Sequence, residues 1–275
     1  MTAPGPGPGP RTLHVLRPGT GMPLVLLHAF PLDARMWTEV AAVFADPAGT
    51  APDVPVLAVD LPGMGTAAAS ALPEPSIEAA ADVVAAVLAA AGHARVVVAG
   101  LSMGGYVAMA LAERHPGLLA GIGLLDTKST ADAPAARANR LRVADAVQRS
   151  GTVDEVAPMA SALLGATSRA RRPELAARIA GWIGAQQPSG VAWSQRAMAA
   201  RPDRTAVLAA CGLPALVLVG DEDEQTPLPE AEHLAQALAV RPQIVPAAGH
   251  LSAVEAPDVV SQALAGLVQR AADRV

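Results

Sequence analysis

The chain holds one cysteine, Cys211, and one lysine, Lys128, in 275 residues. A single cysteine excludes any intramolecular disulfide, and the location this favours is the cytoplasm. There is no excess of basic charge. The formal net charge is −5, which argues against nucleic acid as a partner. There is no long apolar run. Ala79–Ala91 is among the longest apolar-rich segments, but it is short, rich in alanine and interrupted by Asp82, so no membrane span is expected. The start, Met-Thr-Ala-Pro-Gly-Pro-Gly-Pro-Gly-Pro, lacks the basic end and apolar core of a signal peptide. Alternating Pro and Gly cannot bury a core, so residues 1–11 read as a disordered tail. Metal-ligand spacing is lacking, and Gly63-Met64-Gly65 does not extend to a nucleotide-binding G-x-G-x-x-G. No cofactor and no metal are therefore expected. No internal repeat is present.

What is there is organised around one stretch, Ala94 to His115. Val96, Val97 and Val98 are β-branched and apolar, which suits a buried strand. Tyr106 to His115 is rich in Ala, Met, Leu, Glu and Arg, which are good helix formers. Between them lies Gly100-Leu101-Ser102-Met103-Gly104, a G-x-S-x-G pattern. The two glycines let strand and helix crowd around a tight turn that pushes the Ser102 hydroxyl out of the sheet. The helix start then directs backbone N–H groups toward it. A bare G-x-S-x-G is common. Strand before and helix after make it specific.

Other strands are read at Leu13–Arg17, Leu24–Leu27, Val54–Asp60, Leu119–Leu125, Leu213–Val219 and Gln243–Pro246. Helices are read around Met36–Ala45, from Ser76 as cap to Ala91, over Leu228–Ala239 and from about Ala256. Strands alternating with helices imply a mostly parallel sheet covered on both faces. In such sheets ligands bind beyond the carboxyl ends of the strands. His28, Ser102, Asp126, Asp223 and His250 all fall just after strands. Residues 131 to about 206 show no buried strand, only helical spacing.

Ser102 needs a base, and the base needs an orienting carboxylate. His250 follows the last strand, and Asp223 follows the strand before it. The order Ser, Asp, His, together with His28-Ala-Phe-Pro, Asp60-Leu-Pro-Gly-Met-Gly, Gly220-Asp-Glu-Asp and Gly249-His250, resembles the α/β-hydrolase fold from about residue 12 onward. The resemblance implies a core over residues 12–127 and 207–275 and a helical cap over 128–206. It implies Ser102 as nucleophile, His250 as general base and then acid, and Asp223 as the acid that holds the His250 tautomer. The backbone N–H groups of Met103 and Phe30 would form the oxyanion hole. The family usually places Gly where this chain has Ala29. Asp126 is a rival acid, since some members place it there. The rest of the acidic run, Asp221, Glu222 and Glu224, reads as a solvated face. His28 reads as a brace for the oxyanion loop, and Asp60 as an anchor for loop hydrogen bonds.

Trp182 and Trp193 lie in the cap segment and are candidates for lining the substrate pocket, although most apolar residues are core. The segment carries eleven arginines from Arg137 to Arg204 against six acids from Asp132 to Asp203, mostly a solvated surface. One of these arginines meeting a substrate carboxylate is the sharper alternative. The motifs are similar to those of small esterases and 3-oxoadipate enol-lactonases, which implies a small-molecule ester or lactone as substrate. They also resemble cofactor-free perhydrolases and carbon–carbon bond hydrolases, which use the same triad. A small-molecule receptor of the same fold is the non-enzymatic alternative. Oligomeric state is left open.

Overall fold

The computed structural model describes residues 12–44, 52–67 and 72–274, and every run read above as a strand forms one in it. The strands are β1 (Leu13–Arg17), β2 (Leu24–Leu27), β3 (Val56–Val59), β4 (Val96–Leu101), β5 (Leu119–Leu125), β6 (Ala215–Gly220) and β7 (Gln243–Val245). They form one seven-stranded sheet in the order β1-β3-β2-β4-β5-β6-β7. β1 runs antiparallel to β3, and all other neighbours are parallel. Every residue of β2 to β6 is buried, as expected for strands covered on both faces. β6 starts two residues later than the apolar run, because Pro214 has no N–H for the ladder. Its carbonyl still accepts the Ile122 N–H at 2.9 Å.

Parallel neighbours require crossovers, and helices supply them. α1 (Thr38–Phe44) follows β2, and α2 (Ile77–Ala90) joins β3 to β4. Ser76 caps α2, its hydroxyl accepting the Ala79 N–H at 3.0 Å, and Gly92 ends it at φ +81°. α3 (Met103–Arg114) joins β4 to β5. Between β5 and β6 the chain is helical: α4 (Pro134–Ser150), α5 (Met159–Ala162), α6 (Ala166–Arg171), α7 (Pro173–Gly184), α8 (Pro188–Ala200) and α9 (Thr205–Cys211). α9 crosses the boundary expected at 206/207 and packs on α3 and on α10 (Leu228–Ala237). α11 (Ser252–Glu255) and α12 (Pro257–Ala272) close the chain, with α12 against β5. No helix among the described residues is long and apolar enough to cross a membrane. The tail read over 1–11 and the helix end read at Ala45 lie outside the described residues.

The helical insertion meets the sheet's loops at close range. A Cβ added at Gly190, in the first turn of α8, would sit 1.8 Å from the Gly63 carbonyl oxygen. Backbone packs on backbone there, which only glycine permits.

Candidate active site

β4 stops at Leu101 and α3 starts at Met103, so Ser102 alone makes the turn. It does so at φ +54°, ψ −112°, a backbone region that costs a non-glycine residue on the order of 1–3 kcal/mol. The surroundings hold it there. Its N–H donates to the Leu125 carbonyl at 2.9 Å, and its own carbonyl accepts from Gly105 N–H at 2.9 Å and from Thr127 Oγ1 at 2.8 Å. A Cβ at Gly100 would fall 2.1 Å from the Gly104 oxygen, and one at Gly104 would fall 2.1 Å from the Leu27 oxygen.

His250 reaches Ser102 from the loop after β7. Ser102 Oγ lies 2.8 Å from His250 Nε2, and His250 Nδ1 lies 2.9 Å from Asp223 Oδ2 and 3.1 Å from Oδ1. A carboxylate only accepts, so the ring proton sits on Nδ1, and Nε2 is left to accept the serine proton. Asp223 is 5% exposed. Burial pushes its carboxyl up, but the bonds from His250 and Thr226 outweigh this and hold it below the usual carboxylate range. Its further donors are Gln225 N–H at 2.8 Å, Thr226 N–H at 3.0 Å and Thr226 Oγ1 at 2.7 Å.

The rival acid, Asp126, faces elsewhere. It accepts the Gly220 N–H at 2.9 Å and the Ser252 hydroxyl, and no bond joins it to His250. It is fully buried, and burial, with the nearby Asp223 charge, pushes its carboxyl well above the usual range. Of the two acids, Asp223 alone is bonded to the histidine.

His28 and Asp60 bind the loops beyond β2 and β3. His28 Nδ1 lies 2.9 Å from the Ala29 carbonyl, and its Nε2 accepts from Leu61. Asp60 Oδ1 accepts Ala34 N–H at 2.8 Å. Its Oδ2 takes Thr66 N–H and Oγ1 at 2.8 Å each and His14 Nε2 at 2.9 Å. Ala29 stands in the glycine position without a left-handed backbone, and its N–H points to Met36 Sδ at 3.2 Å. The N–H groups of Phe30 and Met103 have no acceptor among the described residues, which leaves both available to a ligand. Met103 opens α3, where the helix dipole favours negative charge.

The tryptophans have partners of their own. Trp182 lies under the Arg178 guanidinium, 5.4 Å from ring centre to carbon, and borders a groove of about 270 Å³ with Arg35, Met36 and Val254. Trp193 donates its indole N–H to the Pro73 carbonyl at 2.7 Å and borders a groove of about 240 Å³ with Leu72, Gln148 and Arg196. Neither groove contains Ser102, Asp223 or His250. Several insertion arginines are already paired: Arg140 and Arg201 with Asp132, Arg196 with Asp145, Arg178 with Glu39, and Arg204 with Glu78 and Glu113. Glu222 is no bystander in a solvated run. It accepts Thr167 N–H at 2.8 Å and Thr167 Oγ1 at 2.5 Å, tying α6 to the loop after β6.

Ser252 escaped the sequence reading, and Thr226, although part of the Gly220-Asp-Glu-Asp-x-x-Thr-Pro motif, was given no role in it. Thr226 lies three residues after Asp223, where a hydroxyl can turn back on the carboxylate, and that spacing was the available signal. Ser252 carried none, since its partner Asp126 is remote in sequence.

A family model described as the alpha/beta hydrolase family matches residues 24–263. A thermophilic esterase from Thermogutta terrifontis, solved with malate bound, superposes with a TM-score of 0.85 at 36% identity, covering 94% of this chain and 93% of that one. The enol-lactonase from Burkholderia xenovorans LB400 gives a TM-score of 0.78 at 24% identity, over 94% and 96% of the two chains, a likeness of fold. Among curated proteins, 2-succinyl-6-hydroxy-2,4-cyclohexadiene-1-carboxylate synthase of Enterobacter sp. (strain 638) is 28% identical over 256 residues, 90% of this chain and 91% of its own length. The glycine-framed serine turn, the seven-stranded sheet and these matches agree: the chain belongs to the alpha/beta hydrolase family.

Proposed function

We propose that the protein is a serine hydrolase that cleaves a carboxylic ester or lactone through an acyl-enzyme on Ser102. The observation that carries this is the continuous relay from Ser102 Oγ to His250 Nε2 at 2.8 Å and from His250 Nδ1 to Asp223 Oδ2 at 2.9 Å. His250 Nε2 takes the serine proton as Oγ attacks the substrate carbonyl carbon. Asp223 stabilises the imidazolium that forms. The N–H groups of Met103 and Phe30 receive the oxyanion, each such donor being worth on the order of 10²–10³ in rate. The tetrahedral intermediate collapses, the C–O bond breaks, and His250 protonates the leaving alkoxide oxygen. Water, deprotonated by His250, then attacks the acyl-enzyme, and the acid departs with Ser102 reprotonated. In this reading residues 128–206 are a cap above the serine. The likeness to the Thermogutta terrifontis esterase at 36% identity supports the ester side of the proposal.

The test is hydrolysis of p-nitrophenyl esters from acetate to octanoate by the wild type and by Ser102→Ala. A burst in the wild type and a loss of kcat on the order of 10⁴ or more in the variant are expected. A folded wild type that turns over no ester, no lactone and no vinylogous diketone overturns the hydrolase reading.

A further inference from the structure

One buried side chain that takes no part in the proton transfers holds the loop carrying His250. Glu255 is 4% exposed. Its Oε1 accepts the N–H groups of Gly249 at 2.9 Å and Leu251 at 3.3 Å, the residues on either side of His250. Its Oε2 accepts the N–H of Gly165 at 2.9 Å, and Gly165 belongs to the helical insertion, just before α6. The N–H of His250 itself donates to the Leu163 carbonyl at 3.0 Å. Three consecutive N–H groups of the loop are thus spoken for, two by Glu255 and one by the insertion. The two backbones touch: a Cβ added at Gly249 would sit 2.2 Å from Gly165 N.

Bonds from backbone N–H to a carboxylate are roughly twice as strong as bonds between neutral groups. A carboxylate buried here is costly to desolvate, and an apolar side chain of like volume would avoid that cost only by leaving the Gly165, Gly249 and Leu251 N–H groups without this acceptor. What the carboxylate adds is a fixed position for both flanks of the histidine and for the insertion at once.

We propose that Glu255 is a positioning residue for His250 and couples the base to residues 163–165 of the insertion. The proposal rests on the reading of His250 as general base. The 2.8 Å approach of Nε2 to Ser102 Oγ depends on where the loop backbone stands. A misplacement of about 1 Å can cost about 10² in rate.

Glu255→Gln tests it. The amide keeps one accepting oxygen but turns an NH₂ group toward a backbone N–H, donor against donor. The expected result on the best p-nitrophenyl ester is a kcat lowered about 10- to 100-fold, with KM within about twofold of wild type. The His250 Nδ1 proton, followed by NMR, should exchange faster in the variant. A folded variant with kcat within twofold of wild type and an unchanged Nδ1 resonance overturns the proposal, even if its melting temperature has dropped. Should the variant not fold, hydrogen exchange on the wild type decides. The amides of Gly165, Gly249 and Leu251 should open together, and independent exchange overturns the coupling. His250→Ala separates the two readings. Turnover retained in that variant removes His250 as base, whereas turnover lost there and kept in Glu255→Gln removes only the role of Glu255.

Discussion

The backbone N–H of Leu61 donates to His28 Nε2 over 2.9 Å. An accepting Nε2 leaves the ring proton on Nδ1, against the Ala29 carbonyl. The ring thereby joins the loop after β2 to the loop after β3 in its neutral form. Burial pulls its pKa below the ordinary histidine value of 6.5. The unfolded chain takes up this proton near pH 6.5, and the native state does so lower. Between the two the unfolded state binds more protons, so stability is complete above about pH 6.5 and declines as pH falls. Thermal unfolding from pH 7.5 to 5 should show this decline, and His28→Gln should make it shallower. An identical slope in the variant rules out His28 as its source.

Asp223 and Asp126 predict opposite outcomes for the same substitution. Asp223→Asn removes the acceptor that sets the His250 tautomer, so kcat should fall by on the order of 10⁴ with the fold intact. Asp126 is pushed up by burial and by Asp223, so its native carboxyl is protonated where the unfolded chain is ionised. Native stability therefore declines as pH rises above the usual carboxylate range. Asn at 126 is neutral, can accept from Gly220 N–H and can donate to Ser252. Asp126→Asn should keep near-normal turnover and melt no lower than wild type at pH 7. Steady-state kinetics and calorimetry on both variants check this.

The Arg201–Asp132 pair should be the most costly ion pair of the insertion to break. Both side chains are 2% exposed and 2.7 Å apart, and the guanidinium also lies over the Tyr106 ring at 4.1 Å. Removing Asp132 strands the buried Arg201 charge, at about 3–5 kcal/mol. Asp132→Ala should show that loss in urea unfolding at pH 7, whereas Arg201→Ala should cost less, because Arg140 still lies 2.6 Å from Asp132. Burial raises the Asp132 carboxyl, yet Arg201 and Arg140 bring it down to about 2. The pair's contribution is therefore full above the usual Asp range and fades only as pH falls toward about 2.

Gly190→Ala should lift α8 from the loop beyond β3. The new methyl would meet the Gly63 carbonyl at 1.8 Å, with backbone on both sides and nothing to rotate away. Overpacking of this kind costs about 1–3 kcal/mol. Gly181→Ala is the control, since a Cβ there meets nothing within 4 Å. The two variants should differ in denaturation midpoint by that amount.

Much of the candidate site was legible because its polar groups stand at the ends of strands in a parallel sheet. Ser102, Asp223 and His250 each follow an apolar run, and the runs could be read without a structure. Both acids follow strands, so sequence left Asp126 open, and only the bond to His250 separates them. For Trp182 and Trp193 the sequence offered no way to choose, because an apolar ring in an insertion is equally at home in a pocket or in a flank. Glu222 hid inside an acidic run, and Glu255 in an ordinary helix start. Their partners, Thr167 and Gly165, lie far away in sequence, and neither periodicity nor spacing reports such a bond.

The contact between Gly63 and Gly190 bears on how the helices between β5 and β6 could be exchanged among relatives. A transplanted insertion would have to bring a glycine to the Gly190 position and find another at Gly63, or it would stand off the sheet. It would also have to present backbone N–H groups to Glu222 and Glu255. Chimaeras that respect these seams should fold with His250 in place, and those that ignore them should lose the histidine's register first.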